Sequence, residues 1–196
     1  AGVNPQNGNA LWRNEEGLLT ENYGEARRIN AGSPEPLWTG GFNTELSWKG
    51  ISLGIQLEAR YGNKVLNQDR SLFEADGSYG DSNIWKGALN YWKKPGDTNV
   101  LPKPIYNNSS NSSQISTRYL EDGSYLRIKD ITLAYNLPSK WTKKALMSGV
   151  RIYASALNLY TFHNMNYWDP EHGTTGATII SYPMTRSLIV GVDITF

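Results

Sequence analysis

The sequence predicts an all-β fold of long antiparallel strands and favours a membrane β-barrel over a soluble β-sandwich. The clearest observation is "ISLGIQLEARYG", residues 51–62, in which apolar and polar side chains alternate with the period of a strand. The predicted strands run to about 10–14 residues, which is enough to cross a bilayer at a tilt. Short connections alternate with long ones, and this asymmetry is typical of outer-membrane barrels.

Five strands are expected from the alternation. They lie at residues 37–49, 51–66, 122–136, 149–162 and 184–196. Only "WKG" joins the first two, which predicts a tight hairpin. In the third strand Ile131, Leu133 and Tyr135 share one face. Leu126 and Ile128 fall on the opposite face, so the sequence predicts either a bulge or burial on both faces.

Three long connections have loop composition and little strand pattern. Residues 1–36 are predicted to form an outer loop or hairpin region, and residues 69–121 and 163–183 form two further outer loops. Loops of this length are uncommon in compact domains and are usually functional.

Two short helical segments are expected within the connections. In the loop 69–121, "IWKGALNYWKKPGD" predicts one short helix that places Trp85, Leu89 and Trp92 on a common face. The segment "PSKWTKKALMSG" begins with Pro and ends in Gly, which predicts a short helical turn between the third and fourth strands.

Composition excludes several classes of protein. The formal charge is +1, with 19 Lys and Arg against 18 Asp and Glu, so no nucleic-acid partner is expected. The absence of Cys excludes disulfides and thiolate metal sites. No transmembrane helix, signal peptide or catalytic set is recognisable, so the chain is not expected to be an enzyme. Seven Trp and twelve Tyr against four Phe favour surfaces with one wet side, such as membrane interfaces or sugar-binding faces.

Two places carry side chains that can bind a metal ion, but neither matches a known site, and no metal or cofactor is predicted. His163 and His172 lie in one loop with Asp169 and Glu171, but their spacing matches no standard ligand pattern. The stretch "DGSYGDSNIW" carries oxygen ligands that suit calcium but lacks the closing Glu of a calcium loop.

Several longer motifs make the chain recognisable. "YLEDGSYLRIKDITLAYNLP" (119–138) and "VRIYASALNLYTF" (150–162), with a closing strand that ends in Phe, resemble the C-terminal portion of the SusC/RagA family of TonB-dependent outer-membrane transporters. "SPEPLWTGGFNTELSWKGISLGIQLEARYGNKV" (33–65) is similar to the hairpin that precedes it in the family. "NYWKKPGDTNVLPKPIYN" (90–107) is similar to a long outer loop of the family.

The resemblance implies a fold, a function and a set of partners. The fold is the last five or six antiparallel strands of a barrel of about 22 strands, and nothing in the sequence matches the plug domain of such barrels. The implied function is TonB-dependent import of oligosaccharides or peptides across the outer membrane of a Gram-negative bacterium. The implied partners are a SusD-like lipoprotein, the remaining barrel and plug, the TonB complex, the outer-membrane assembly machinery and the lipid bilayer.

The resemblance and the alternation together select three groups of candidate site residues. Aromatic rings of the outer loops are candidates for ligand contact, lid contact or loop packing: Trp85, Tyr91, Trp92, Tyr106, Tyr167 and Trp168. Gln56, Glu58 and Arg60 are candidates to face the lumen or to hold the plug. Val192, Ile194 and Phe196 resemble the terminal signal that the assembly machinery reads.

Aromatic girdles are expected at both rims of the barrel. If Phe196 is periplasmic, the "WKG" turn and residues 138–149 are periplasmic too. Trp48 and Trp141 then lie near the inner rim, and Trp38, Tyr61 and Tyr160 lie near the outer one.

The alternative is a soluble, secreted β-sandwich that binds carbohydrate through exposed aromatic rings. That fold predicts that Ile55, Leu57, Val190 and Val192 face a protein core.

Overall fold

The computed structural model describes residues 1–79, 83–106, 112–171, 176–178 and 182–196. The chain divides into two compact units. The loop unit comprises Ala1–Gly32, Leu66–Leu120 and Ala177–Ile180, and the sheet unit comprises Ser33–Val65, Glu121–Gly176 and Ser181–Phe196.

Strands dominate the described part of the chain. In chain order the elements are β1 (Gly2–Val3), β2 (Ala10–Arg13), β3 (Leu19–Thr20), β4 (Trp38–Trp48), β5 (Ile51–Tyr61), β6 (Lys64–Asn67), α1 (Gln68–Phe73), β7 (Leu120–Asp122), β8 (Tyr125–Asn136), α2 (Ser139–Thr142), β9 (Gly149–His163), β10 (Ala177–Thr178) and β11 (Ser187–Thr195). Short 3₁₀ turns lie at Tyr23–Glu25, Lys86–Leu89, Thr117–Tyr119 and Lys143–Ala145. Among the described residues, no helix is long and apolar enough to cross a membrane.

The largest sheet within the described ranges has five antiparallel strands in the order β11-β9-β8-β5-β4. This confirms the predicted all-β, antiparallel class. The tight hairpin between β4 and β5 is also confirmed. Lys49 and Gly50 at its turn have φ angles of 48° and 86°, the left-handed pair that matches the twist of a two-residue hairpin. A Cβ on Gly50 would lie 2.9 Å from the carbonyl oxygen of Asn136, so this position requires Gly.

A bulge in β8 explains the broken alternation of that strand. The pairing with β5 and with β9 shifts register at Lys129, which confirms the bulge among the two predicted alternatives. The extra residue restores a common face, because Ile128 pairs with Leu57 on one side of the bulge and Ile131 pairs with Ile55 on the other.

The five strands present one continuous apolar face. Register places these side chains on it: Phe42, Leu46 and Trp48 of β4; Leu53, Ile55 and Leu57 of β5; Leu126, Ile128, Ile131 and Leu133 of β8; Ala154 and Ile152 of β9; and Leu188, Val190 and Val192 of β11. Many are strongly exposed, and Val190 reaches 78 %. A soluble protein rarely exposes a contiguous apolar patch of this extent.

Aromatic rings mark both ends of this face. Trp38 and Tyr61 pair at one end of the hairpin, and Trp48 lies at the other. The strand between Trp38 and Trp48 rises about 34 Å, which becomes about 24 Å at a tilt of about 45° and matches the apolar band of an outer-membrane barrel.

Three predicted strand ends differ from the structure by three residues or more. The strand predicted at 184–196 begins only at Ser187. The strand predicted at 51–66 ends at Tyr61, because Gly62 adopts a φ of 88° and redirects the chain before β6 begins. The strand predicted at 122–136 begins at Tyr125, after a turn in which Ser124 bonds the carboxylate of Asp122.

The helix predicted in "IWKGALNYWKKPGD" is wrong. Only Lys86–Leu89 forms a 3₁₀ turn, and Trp85 caps it with an extended backbone. The rings therefore share no helical face: Trp92 is buried while Leu89 is exposed. The predicted helical turn after β8 is confirmed as α2 and the following 3₁₀ turn.

The loop unit is held together by buried charge. Arg118 binds both carboxylate oxygens of Asp76, at 3.1 and 3.2 Å. Burial alone would lower the pKa of Arg118, but the hydrogen bonds and charge of Asp76 outweigh it and raise the pKa. Burial also raises the pKa of the adjacent Tyr119 to about 12. Arg70 pairs with Glu74 along α1 at 2.9 Å.

Candidate functional site

The polar face of the sheet carries a dense cluster of charged side chains. Pairing in register puts Glu58 of β5 beside Arg127 of β8, and Gln56 beside Asp130. Since paired residues of antiparallel strands project to the same side, these groups lie opposite the apolar face.

Arg127 is the centre of this cluster. Its side chain is 0 % exposed and forms ion pairs with Asp169 and Glu171, both from the segment that follows β9. The guanidinium lies 2.8 Å from Oε2 of Glu171 and also binds Oδ1 of Asp169. A buried guanidinium requires such partners, because an unpaired charge away from water is strongly unfavourable.

The bulge residue Lys129 extends the cluster. Its Nζ lies 2.8 Å from Oε1 of Glu171 and 3.1 Å from Oε2 of Glu58. Tyr125 donates its hydroxyl to Oε1 of Glu58 at 2.7 Å. The guanidinium of Arg60 lies over the ring of Tyr125, 5.8 Å from its centroid.

The charges of the cluster balance within it. Three cations face three carboxylates: Arg60, Arg127 and Lys129 against Glu58, Asp169 and Glu171. We call these six residues the wall clamp. The ion pairs of Arg127 and Lys129 with Asp169 and Glu171 attach the segment 169–171 to the polar face.

A second contact anchors the beginning of the same segment. The backbone N–H of Asn166 donates to Oε2 of Glu121 at 2.7 Å. Met165 and Pro170 are buried, so the segment packs as well as pairs. Further along the polar face, Asp130 accepts hydrogen bonds from Thr132 and Ser155, each at 2.8 Å.

The structure places the three predicted lumen candidates together on this polar face. Gln56 is exposed, while Glu58 and Arg60 belong to the wall clamp. Sequence reasoning did not find Arg127 or Lys129. The only signal was the interrupted alternation of "LRIKDI", which marks the bulge and not its ion pairs.

Asp169 and Glu171 have a different role from the one considered in sequence. In sequence they accompany two candidate metal-binding histidines, but in the structure they pair with Arg127 and Lys129. His163 is exposed at the end of β9, and His172 lies outside the described residues. In the described part of the chain, no group of three or more His, Cys, Asp or Glu is arranged to hold a metal ion. Gly80, Asp81 and Ser82 of the calcium candidate also lie outside it.

The six aromatic candidates divide between the two units. In the loop unit, Trp85 stacks on Phe73 at 4.9 Å, and Trp92 is buried with its indole N–H donated to the carbonyl of Pro5. Tyr91 lies under the Nζ of Lys93 at 5.4 Å. Packing therefore accounts for Trp85 and Trp92, whereas Tyr106 is 84 % exposed.

Tyr167 and Trp168 belong to the sheet unit, in the segment that the wall clamp attaches. Tyr167 is 57 % exposed and has a φ of 69°, a left-handed conformation that is uncommon for a residue with a Cβ. Trp168 is partly buried, and its backbone N–H donates to the carbonyl of Asn166 at 2.9 Å.

Comparison with known proteins gives a consistent result. The chain is 31 % identical over 182 residues to TonB-dependent receptor P3 of Formosa agariphila, and 28 % identical over 179 residues to TonB-dependent receptor P26 of the same organism. These matches cover 87 % and 84 % of this chain but 17 % of each relative. No protein-family model matches the chain.

Solved structures agree over the full length of the chain. The RagAB peptide transporter matches with a TM-score of 0.84 and 30 % identity, and the same peptide importer in its "closed-closed" state matches with 0.83 and 29 %. Both matches cover 100 % of this chain and 22 % of the solved chain. The chain therefore spans about a fifth of the proteins that it resembles.

The sheet, its two faces and these matches define a class: the chain is a barrel segment of a TonB-dependent transporter. Within that class, the match to RagAB confirms the predicted SusC/RagA-type segment. The soluble β-sandwich is wrong, because the face that a sandwich would bury is exposed and because the matched proteins are transporters and receptors.

Proposed function

We propose that this segment forms part of the wall of an outer-membrane transporter that imports peptides or oligosaccharides by TonB-dependent uptake with a SusD-like lipoprotein. The observation that carries the proposal is the five-stranded sheet with one exposed apolar face and one charged face. Such a sheet suits a barrel wall between lipid and lumen, where its two outer edges are paired by further strands.

The polar face supplies the lumen side in this proposal. Gln56, Glu58 and Arg60 line the lumen wall, and the wall clamp holds the segment 166–171 against it. Because the clamp fixes this segment, the exposed ring of Tyr167 has a defined position from which to contact a passing solute. These residues contribute binding energy for the solute and take part in no covalent chemistry.

Peptides are the first candidate class of solute in this proposal. The support is the resemblance to RagAB, which is described as a peptide transporter and importer and shares 30 % identity with this chain. Oligosaccharide is the second candidate, since exposed Tyr rings beside amide and carboxylate groups also suit sugars.

Uptake by cells that carry the intact transporter tests the proposal. We expect a fluorescent oligopeptide to accumulate in these cells, and we expect both gene deletion and a protonophore to abolish accumulation. A fluorescent oligosaccharide of similar mass distinguishes the second solute class. Unchanged uptake of both probes after deletion would overturn the proposed function.

A variant of the segment tests the role of Tyr167. Tyr167→Ala removes one exposed ring contact, worth about 1 kcal/mol, so we expect the concentration for half-maximal uptake to rise about fivefold. Tyr79→Ala removes an exposed ring of the loop unit that is not a candidate ligand contact. It is the matched control and should leave this concentration unchanged.

A further inference from the structure

One end of the five-stranded sheet carries four lysines on its connections. Lys49 lies in the turn between β4 and β5, and Lys140, Lys143 and Lys144 lie in the connection between β8 and β9. We call these four residues the lysine rim. Backbone hydrogen bonds hold both connections at this end: Asn136 donates to Gly50 at 2.8 Å, and Ser148 donates to Thr195 at 2.7 Å.

The charge of the lysine rim is not neutralised within the described part of the chain. All four side chains are exposed, and none forms an ion pair with a described carboxylate. Asp193 of β11 is occupied by Arg151 at 3.2 Å. The rim therefore presents a local surplus of positive charge on a chain whose formal charge is only +1.

Large apolar side chains are exposed among these lysines. Trp48 is 69 % exposed, Trp141 59 % and Leu146 89 %. The Nζ of Lys49 lies 4.6 Å from the ring centroid of Trp48, so a cation and an indole share one surface. Trp beside Lys is the composition of a membrane–water interface, where the ring sits at headgroup level and the ammonium reaches phosphate.

The rim is also continuous with the apolar face. Trp48 pairs with Ile51, which pairs with Tyr135, and this row is the last of β4 and β5 before the turn that joins them. A lipid whose chains lie against the apolar face therefore has its headgroup at the height of the lysines.

We propose that the lysine rim binds the headgroups of anionic phospholipids in the leaflet beside it. This inference goes beyond the proposed function and rests on the barrel fold alone, not on the solute carried. Each Lys near an anionic surface contributes about fivefold to binding. The three lysines between β8 and β9 together give on the order of a hundredfold, which screening at physiological salt reduces to about tenfold.

Native mass spectrometry of the intact transporter tests this proposal. The protein is taken from nanodiscs that contain equal amounts of phosphatidylglycerol and phosphatidylcholine, and the retained lipids are counted. The wild type should retain phosphatidylglycerol in about tenfold preference. The variant K140Q/K143Q/K144Q, which leaves only Lys49 of the rim, should lose most of this preference, and the double variant K143Q/K144Q should lose less of it.

The matched control is K86Q/K93Q/K94Q, which removes the same charge from exposed positions of the loop unit. It should keep the preference. A heat-shifted band on gels verifies that each variant still forms the barrel.

Three outcomes would overturn the proposal: no lipid preference in the wild type, a preference that survives the rim variant, or an equal loss in the control. In a last experiment, inorganic phosphate is added at a concentration of tens of millimolar as a competitor for the retained lipid. If it displaces all retained phosphatidylglycerol, the rim is a general anion site and the lipid assignment is wrong.

Discussion

Arg127 is the residue on which the attachment of the segment 166–171 depends most. Its side chain is fully buried and pairs with Asp169 and Glu171. Arg127 and Asp169 are 42 residues apart in sequence. Breaking a buried ion pair by removal of one partner costs about 3–5 kcal/mol, because the remaining charges are left without compensation.

Arg127→Met should therefore release this segment from the polar face. We expect amide hydrogen exchange at 165–171 in the intact transporter to accelerate by at least about a hundredfold, as about 3 kcal/mol implies. Arg151→Met is the control, because its ion pair with Asp193 is exposed and such pairs contribute about 0–1 kcal/mol. Equal exchange in both variants would contradict the clamp.

Glu21 in the loop unit gives a pH dependence with a definite sign. Its carboxylate accepts hydrogen bonds from the side-chain amides of Asn9, Asn7 and Asn4, at 2.7, 2.9 and 2.6 Å, and these bonds lower its pKa. A lowered folded-state pKa stabilises the turn above the unfolded value of about 4.3, and this stabilisation is lost as pH falls through the folded value.

We expect protection of the amides of Gly8 and Asn9, corrected for intrinsic exchange, to decrease between pH 6 and pH 3. Glu21→Gln should already be less protected at pH 6 and should vary little with pH. A wild-type turn whose protection is constant over this range would contradict the assigned role of Glu21.

Within β8, the bulge at Lys129 decides which face each half of the strand presents. Deletion of Lys129 would shift Leu126 and Ile128 toward the polar face and Arg127 toward the apolar one. A charge placed toward lipid costs about 2–4 kcal/mol at mid-depth.

We expect the deletion to abolish recovery of heat-modifiable barrel from the outer-membrane fraction. Lys129→Gln keeps the strand length and removes only the ion pairs, so it should assemble in near wild-type yield. Assembly of the deletion variant at the level of Lys129→Gln would show that register at this point is not fixed by the bulge.

The strands were predictable because the alternation of apolar and polar residues that marks a strand is visible within a short stretch of sequence. Alternation in "ISLGIQLEARYG" and "SLIVGVDITF" reports which side chains face which side, and it requires no knowledge of partners. The bulge was predictable only as one of two alternatives, since the same pattern fits a strand buried on both faces. The difference is decided by Ile128 and Ile131, which pair with neighbours on one face of β5.

The loops were less predictable because their structure depends on distant contacts. The spacing of Trp85, Leu89 and Trp92 predicts a helix, but the position of Trp92 is set by its hydrogen bond to Pro5, 87 residues away. Likewise, the sequence shows Asp169 and Glu171 only as neighbours of His172. Their charge partner is Arg127, which lies on a different strand. No window of sequence contains both halves of such a contact.

In the molecule as a whole, the apolar face, the charged face and the resemblance to RagAB all support one barrel wall. The role of Val192, Ile194 and Phe196 in assembly stays a prediction. Two neighbouring residues of β11 form a matched pair with which the difference between the two faces can be tested. Ile189 and Val190 are adjacent, apolar and exposed, yet register places Ile189 on the polar face and Val190 on the apolar one.

Cysteine labelling at these two positions is the most direct measurement, and the sequence contains no Cys that would interfere. Ile189→Cys and Val190→Cys are introduced separately into the intact transporter, with any cysteine elsewhere in it replaced, and cells are treated with a charged, water-soluble thiol reagent. We expect labelling of Ile189→Cys and protection of Val190→Cys, which should react only with a lipid-soluble maleimide. Equal aqueous labelling of both, or the reverse pattern, would contradict a wall that separates lipid from lumen.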